Sequence, residues 1–330
     1  MPPPSATCHG SVPDDPAGRG PWDTLTSRVV RCPVCQEAVD VVGRSLRCPR
    51  RHTFDTARQG YVSLLSGARR TVNADSAAMV GARSAFLAGG HYAPLTDALA
   101  RLAAALRLPE GATVVDAGAG TGYYLAAVLD ALPGCVGLAL DTSSYALRRA
   151  ARAHPRAGAA SWDVWRPFPV RDGAVDVVLD VFAPRNGAEF HRILRPGGAL
   201  LVVTPTRRHL HELRDRLGLL EVDPDKEERL ERSLSAHFER ERAEALEYTV
   251  VLSGQDVENL ASMGPAARHV EPGELRARVR ALGEPARVTA SFELAVYRAK
   301  PARSEGTGIS NGPTGTPESP ESSGGAGRGR

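Results

Sequence analysis

From residue 75 to residue 299, apolar runs and amphipathic stretches take turns along the chain. Asp75 or Ser76 can cap a helix that reaches about Leu87 and stops at Gly89-Gly90. A second helix, from about Pro94 to Leu106, sets Leu95, Leu99, Leu102 and Leu106 on one face. Regular alternation follows. Strand Thr113–Asp116 leads to helix Tyr123–Leu132, strand Val136–Leu140 to helix Ser144–Ala153, and a short strand is expected near Ala159–Trp162. Strand Val175–Phe182 precedes a helix around Ala188–Leu194, and strand Ala199–Thr204 one around His209–Leu217. Short apolar runs alternating with amphipathic helices predict an α/β fold, a doubly wound parallel sheet covered on both faces. Strands Leu246–Leu252 and Val288–Ala299, with helices near Asp256–Met263 and Glu274–Leu282, complete the sheet, the last strand as an antiparallel hairpin.

The two ends read differently. Residues 1–27 hold six prolines among Gly, Ser and Asp, and are expected to be a disordered lead. In residues 301–330, twenty of thirty positions are Gly, Pro, Ser or Thr and Ile309 is the only large aliphatic, so a disordered tail is expected. Between them lie a short cysteine-bearing module, 28–66, and a larger domain, 67–300, with a helical linker at its start. The start of the chain, rich in proline and acid, is not a signal peptide, and no run approaches the ~20 apolar residues of a membrane span. Five cysteines, an odd number unevenly spread, argue against a secreted disulfide scaffold and for a cytoplasmic protein.

A net charge of +3, taken as a total, argues against a strongly basic nucleic-acid binder. It is not evenly distributed. Arg28 to Arg70 contains nine arginines against Glu37, Asp40 and Asp55, a local +6, which leaves −3 for the remainder. An excess confined to one small module is what a phosphate footprint looks like, with a solvated face as the alternative. Arg44, Arg47, Arg50 and Arg51 carry much of it.

That module also contains Cys32, Cys35, Cys48 and His52, spaced C-x2-C-x12-C-x3-H. Three soft thiolates and one imidazole with no spare position describe a closed, tetrahedral structural zinc site. A module this small cannot stabilise itself by burial, and zinc, worth about 10–16 kcal/mol in finger-sized peptides, supplies the deficit. Cys8-His9 lies in the lead, and Cys135 reads as a buried strand residue.

At the first strand of the alternating region, Asp116-Ala117-Gly118-Ala119-Gly120-Thr121-Gly122 runs from strand into helix. The dinucleotide fingerprint would require a third glycine at Tyr123, so the pyrophosphate reading fails. Glycine at every second position suits a phosphate-free cofactor lying close over the strand ends, with Asp116 fixing the loop or the amino-acid end of the ligand. Asp141 ends the next strand, where it can accept from both ribose hydroxyls, and Asp163 ends the third, near where an adenine would sit. With Arg195-Pro196-Gly197-Gly198 before a later strand, the layout resembles the class I S-adenosylmethionine-dependent methyltransferases.

Zinc module and methyltransferase core together resemble the bacterial 23S rRNA (guanine-N1)-methyltransferases of the RlmA type. That family includes enzymes of tylosin- and mycinamicin-type macrolide resistance. The resemblance is carried by Cys32-Pro-Val-Cys35, Arg47-Cys48-Pro-Arg-Arg-His52-Thr-Phe54-Asp55, Gly60-Tyr61-Val62-Ser63-Leu64-Leu65, Asp75 to Met79, Arg83, Gly90-His91-Tyr92-Ala93-Pro94-Leu95, Val181-Phe182-Ala183-Pro184, and Thr204-Pro205 with His209-Leu210. It implies that Tyr92, the Gly118–Gly122 loop, Asp141 and His209 contact S-adenosylmethionine. It also implies that the methyl goes to N1 of a guanine in the helix 35 loop of 23S rRNA, with macrolide resistance as the result. The segment Asp180–Pro184 lies where the target base enters in this fold, and Asp180 is the candidate base for the N1 proton. A homodimer would let two basic modules clamp one RNA. Two other readings stay open at this point: a small-molecule (antibiotic) methyltransferase whose zinc module is only structural, and a non-catalytic RNA-binding protein of ribosome assembly.

Overall fold

The computed structural model describes residues 20–65, 74–217, 232–264, 272–283 and 285–301. Its frame is a seven-stranded sheet in the order β6-β5-β4-β7-β8-β10-β9. The strands are β4 (Thr113–Ala117), β5 (Val136–Asp141), β6 (Ala157–Ser161), β7 (Val175–Val181), β8 (Leu194–Pro205), β9 (Phe238–Leu252) and β10 (Ala286–Ala299). Pairings from β6 through β8 are parallel; β10 enters antiparallel between β8 and β9. The alternation of the sequence thus becomes a doubly wound sheet closed by the expected antiparallel hairpin.

Period-two alternation sends side chains to two cores. Along β8, Ala199, Leu201 and Val203 point to one face, and Leu200 and Val202 to the other. The first face packs under α2 (Ala77–Ala88), α3 (Ala93–Ala105), α4 (Tyr123–Ala131), α5 (Ser144–Ala150), α7 (His211–Leu217), α8 (Gly254–Ser262) and α9 (Pro272–Arg280). Ser76 caps α2, its hydroxyl accepting from the Met79 amide at 3.2 Å, and Ser253 with Asp256 forms a reciprocal capping box on α8. Helix α2 therefore starts where its cap predicts.

The second face is covered by α6 (Gly187–Ile193), by α1 (Pro21–Arg28) and by a three-stranded antiparallel sheet. That sheet is β1 (Asp40–Val42), β2 (Ser45–Arg47) and β3 (Thr53–Asp55) of the cysteine-bearing module. Val39, Leu46 and Phe54 share one buried cluster with Val115, Leu138 and Leu140 of the large sheet. The chain then leaves the module along the edge of β6. The Val62 amide donates to the Ala159 carbonyl at 2.8 Å, and Ser161 returns a bond to the Val62 carbonyl at 2.9 Å.

Residues 20–27, assigned above to a disordered lead, instead include most of helix α1. Pro21 stands in the first turn, where its missing N–H costs nothing, and Leu25 is completely buried. The helix sits on Gly158, where an added Cβ would come within 2.6 Å of the Leu25 side chain and 3.1 Å of Trp22. This stability is tertiary, so proline content alone concealed it. Residues 1–19, with Cys8-His9, and 302–330 of the expected tail lie outside the described residues.

Leu25→Ala is expected to cost about 2–5 kcal/mol, as for other buried leucines. Urea denaturation checks this, and an unchanged midpoint would contradict the seating of α1.

Candidate active site and metal centre

The metal centre is built from two tight turns. In the first, the Gln36 amide donates to the Cys32 carbonyl at 2.9 Å, with Gln36 in the left-handed region (φ +65°). In the second, the Arg51 amide donates to the Cys48 carbonyl at 2.9 Å, with Arg51 at φ +67°. These turns bring the ligand atoms of Cys32, Cys35, Cys48 and His52 within 4.8 Å of one another. Cys35 and Cys48 Sγ lie 3.6 Å apart, and His52 Nδ1 lies 3.3 Å from Cys48 Sγ and 3.6 Å from Cys32 Sγ. A tetrahedral zinc with Zn–S near 2.3 Å requires S–S edges of about 3.8 Å, so the four donors fit that ion, with Nδ1 as the imidazole ligand. Arg44, Arg47, Arg50 and Arg51 are all exposed around this centre. Arg50 faces Glu37 at 3.4 Å, and Arg44 donates to the Ala57 carbonyl at 3.3 Å.

The glycine loop spans β4 and α4, and Gly118, Gly120 and Gly122 all have positive φ. Two of them are also needed for space. A Cβ at Gly118 would lie 2.7 Å from the Ala183 Cβ, and one at Gly122 would lie 3.0 Å from the Ala150 Cα. Thr121 is half-buried between them. Asp141 holds the loop from β5: one carboxylate oxygen accepts from the Gly120 amide at 2.8 Å, the other from Ser143 at 2.7 Å. Each oxygen keeps a second lone pair, so the two ribose hydroxyls can still donate to it. Asp163 lies just past β6 and accepts from the Trp165 amide at 3.1 Å.

Asp116 and Asp180 end adjacent strands, both buried, and one carboxylate oxygen of each lacks a hydrogen-bond partner. Burial, then the charges of Asp141 and Asp180, pushes Asp116 up to about 8. Burial pushes Asp180 up to about 7, against the opposing charge of Arg185, whose Nε lies 3.4 Å away. Buried acceptors left open in this way call for a cationic or hydrogen-donating ligand. S-adenosylmethionine, with a sulfonium and an ammonium, fits that demand.

Tyr92 and His209 meet on the other side of the β7 end. The Ser291 amide donates to His209 Nδ1 at 3.2 Å, which fixes the neutral ring with its proton on Nε2. Nε2 therefore donates to the Tyr92 hydroxyl, 3.2 Å away. Burial, with the charge of Arg214, lowers His209 to about 4, so the ring is neutral at physiological pH. The Tyr92 proton is then free to point at a ligand. Tyr92, buried, also packs edge-on against Phe86 and Phe292.

The structure thus gathers Asp116, Asp141 and the glycine loop, brings Tyr92 to His209, and keeps the four arginines on a separate, exposed module. Sequence reasoning gave no role to Arg83 or Arg185. Arg83 pairs with Asp75 at 2.6 Å, donates to the Met263 carbonyl at 2.9 Å and comes within 3.5 Å of where a Gly120 Cβ would be. Arg83 stands among the residues that carry the resemblance, whereas in an arginine-rich chain Arg185 has no local signal.

Comparison with known proteins agrees with both halves. A zinc-ribbon model described as RlmA, N-terminal, matches residues 30–69, and a methyltransferase domain model matches residues 115–202. A protein of Micromonospora griseorubida, provisionally named a 23S rRNA (guanine-N1)-methyltransferase, is 54% identical over 286 residues, covering 82% of this chain and 97% of its own. The 23S rRNA (guanine(748)-N(1))-methyltransferase of Streptomyces fradiae is 49% identical over 277 residues, covering 83% and 98%. Among solved structures, a methyltransferase of Thiobacillus denitrificans with S-adenosyl-L-homocysteine aligns with a TM-score of 0.41 at 21% identity, covering 61% of this chain and 90% of that one.

Two outcomes are expected. Because the module shares a core with β4 and β5, Cys35→Ser should lose bound zinc, read by elemental analysis, and lower the melting temperature in one transition. A variant that keeps a separate, wild-type transition would contradict the shared core. The second concerns pH. Asp116 and Asp180 titrate near 8 and 7 when folded, against about 3.9 for an unfolded aspartate, so the folded state holds more protons in between. Their contribution is present at low pH and lost as pH rises through 7 and 8. Thermal melts of the ligand-free protein should fall from pH 6 to 8.5, and Asp116→Asn should flatten that fall.

Proposed function

This chain belongs to the 23S rRNA (guanine-N1)-methyltransferases, and we propose that its target is the guanine given as 748 in the name of the Streptomyces fradiae relative. That guanine lies in the helix 35 loop, and its methylation confers resistance to tylosin- and mycinamicin-type macrolides. The observation that carries this reading is the joining of an exposed, basic Cys3His module to the glycine-loop site through one continuous core. Family membership disfavours both a small-molecule methyltransferase and a non-catalytic assembly factor.

When bound, S-adenosylmethionine supplies an electrophilic methyl group on a sulfonium. The chain's own residues do the rest. Gly118 to Gly122 let the backbone approach the ligand, Asp141 accepts from the ribose, and Asp163 borders the adenine. Asp116 faces the positive end, and Tyr92, held by His209, donates to the ligand. Guanine N1 carries a proton that must leave as the N1–CH3 bond forms, while the S–CH3 bond would break to release S-adenosylhomocysteine. Asp180, buried near the end of β7, takes that proton as a base, which its ionisation near pH 7 permits. Arg44, Arg47, Arg50 and Arg51 hold backbone phosphates while the loop base is reached unstacked. A homodimer with two such modules on one RNA, working in the cytoplasm beside the ribosome, completes the proposal. Among the described residues no helix is long and apolar enough to cross a membrane.

The test is labelled-methyl transfer to 23S rRNA lacking the modification, followed by mapping of the methylated base. No incorporation into RNA would sink the proposal. For wild type, kcat/KM should rise with pH through about 7 as Asp180 ionises, and Asp180→Asn should abolish that rise along with most of the rate. Replacing Arg50 and Arg51 by Glu should weaken RNA binding and flatten its dependence on salt. Equal salt slopes would count against the phosphate footprint.

A further inference from the structure

The strand that carries Asp180 ends in an unusual way. Phe182 adopts φ +57°, a left-handed conformation that is a genuine outlier for a bulky side chain. Such strain persists only where the surroundings over-determine it. Here the Phe182 amide still donates to the Val203 carbonyl at 3.2 Å, which keeps the residue on the sheet. Its successor, Ala183, is turned down onto the glycine loop, against the Gly118 position. The ring is left outside, 42% exposed, at the rim of an otherwise buried site.

The ring is exposed but not loose. Its centroid lies 5.6 Å from Phe292, 6.0 Å from Tyr124 and 6.5 Å from Tyr92, so aromatic neighbours back it from within. The other large exposed aromatics stand elsewhere: Trp165 follows β6, and Tyr145 on α5 already carries Arg148 over its ring at 5.2 Å. Two residues before Phe182, Asp180 keeps a buried oxygen without a partner. A flat apolar surface at the end of the strand that carries an open acceptor matches a guanine extruded from its stack, which offers a π face and an N1–H donor together.

We propose that Phe182 is the platform on which the target guanine stacks, orienting N1 toward Asp180 and the methyl donor. The inference rests on the rRNA reading given above and deepens it. The backbone strain is the cost of holding the ring at the rim rather than in the core.

Phe182→Leu keeps apolar bulk and removes the π face, while Phe182→Tyr keeps both. S-adenosylhomocysteine affinity, measured by calorimetry without RNA, should stay within about twofold of wild type for both variants, which also shows that they fold. With a hairpin of the target loop, kcat/KM should fall about ten- to a hundredfold for Phe182→Leu and recover in Phe182→Tyr. In a hairpin carrying 2-aminopurine in place of the target guanine, bound fluorescence should be quenched by wild type and brighter with Phe182→Leu. Lost S-adenosylhomocysteine affinity in Phe182→Leu would assign the ring to the cofactor and overturn the inference. So would unchanged RNA kinetics. No methylation by the wild-type chain would instead overturn the rRNA reading itself.

Discussion

Three carboxylates at the ends of three neighbouring parallel strands set the character of this molecule. Asp116, Asp141 and Asp180 are brought together by the register of β4, β5 and β7. Asp116 and Asp180 are buried, and the charges of Asp141 and Asp180 both bear on Asp116. Only Asp141 has both oxygens engaged, each bonded to one backbone amide. The other two each keep a buried oxygen without a hydrogen-bond partner, and burial pushes both toward the protonated form. Glycines with positive φ, and the close approach of Ala183 and Ala150, shape the loop beside them.

The second organising fact is that the zinc ribbon is not a lobe on a tether. Cys32 and Cys48 lie in the same buried cluster as Val115 and Leu140, and the chain leaves the ribbon by pairing with β6. The exposed arginines of the ribbon therefore stand on a module that shares its core with the sheet carrying the glycine loop, so whatever they hold is fixed relative to that loop. Orientation of a loop base relative to a methyl group benefits from that stiffness, since misplacement by a fraction of an ångström lowers the rate.

Much of this was legible in the chain. Alternating apolar runs placed β4 to β8 within a few residues, because parallel strands are buried on both faces and need no context to show it. The C-x2-C-x12-C-x3-H spacing announced the metal site, since ligand identity and turn length are local properties. What escaped notice depends on contacts distant in sequence. Helix α1 is written in Leu25 and in Gly158, more than a hundred residues apart. The small sheet β1–β3 consists of three-residue strands with too few positions to show a period. Arg185 acquires meaning only from Asp180, whereas Arg83 and Phe182 stand in motifs legible in the chain and gain their individual partners only from the fold.

The far edge of the sheet has its own consequence. β9 presents fifteen residues along an otherwise open margin, with Glu239, Arg240, Glu241 and Arg242 all exposed. At the opposite margin the Val62 segment already occupies the backbone groups of β6. A second sheet can thus add to neither side without dehydrating charges or displacing a bonded segment. Among the described residues β9 is thus an edge guarded by charge, and a second strand laid along it would have to dehydrate Glu239, Arg240, Glu241 and Arg242.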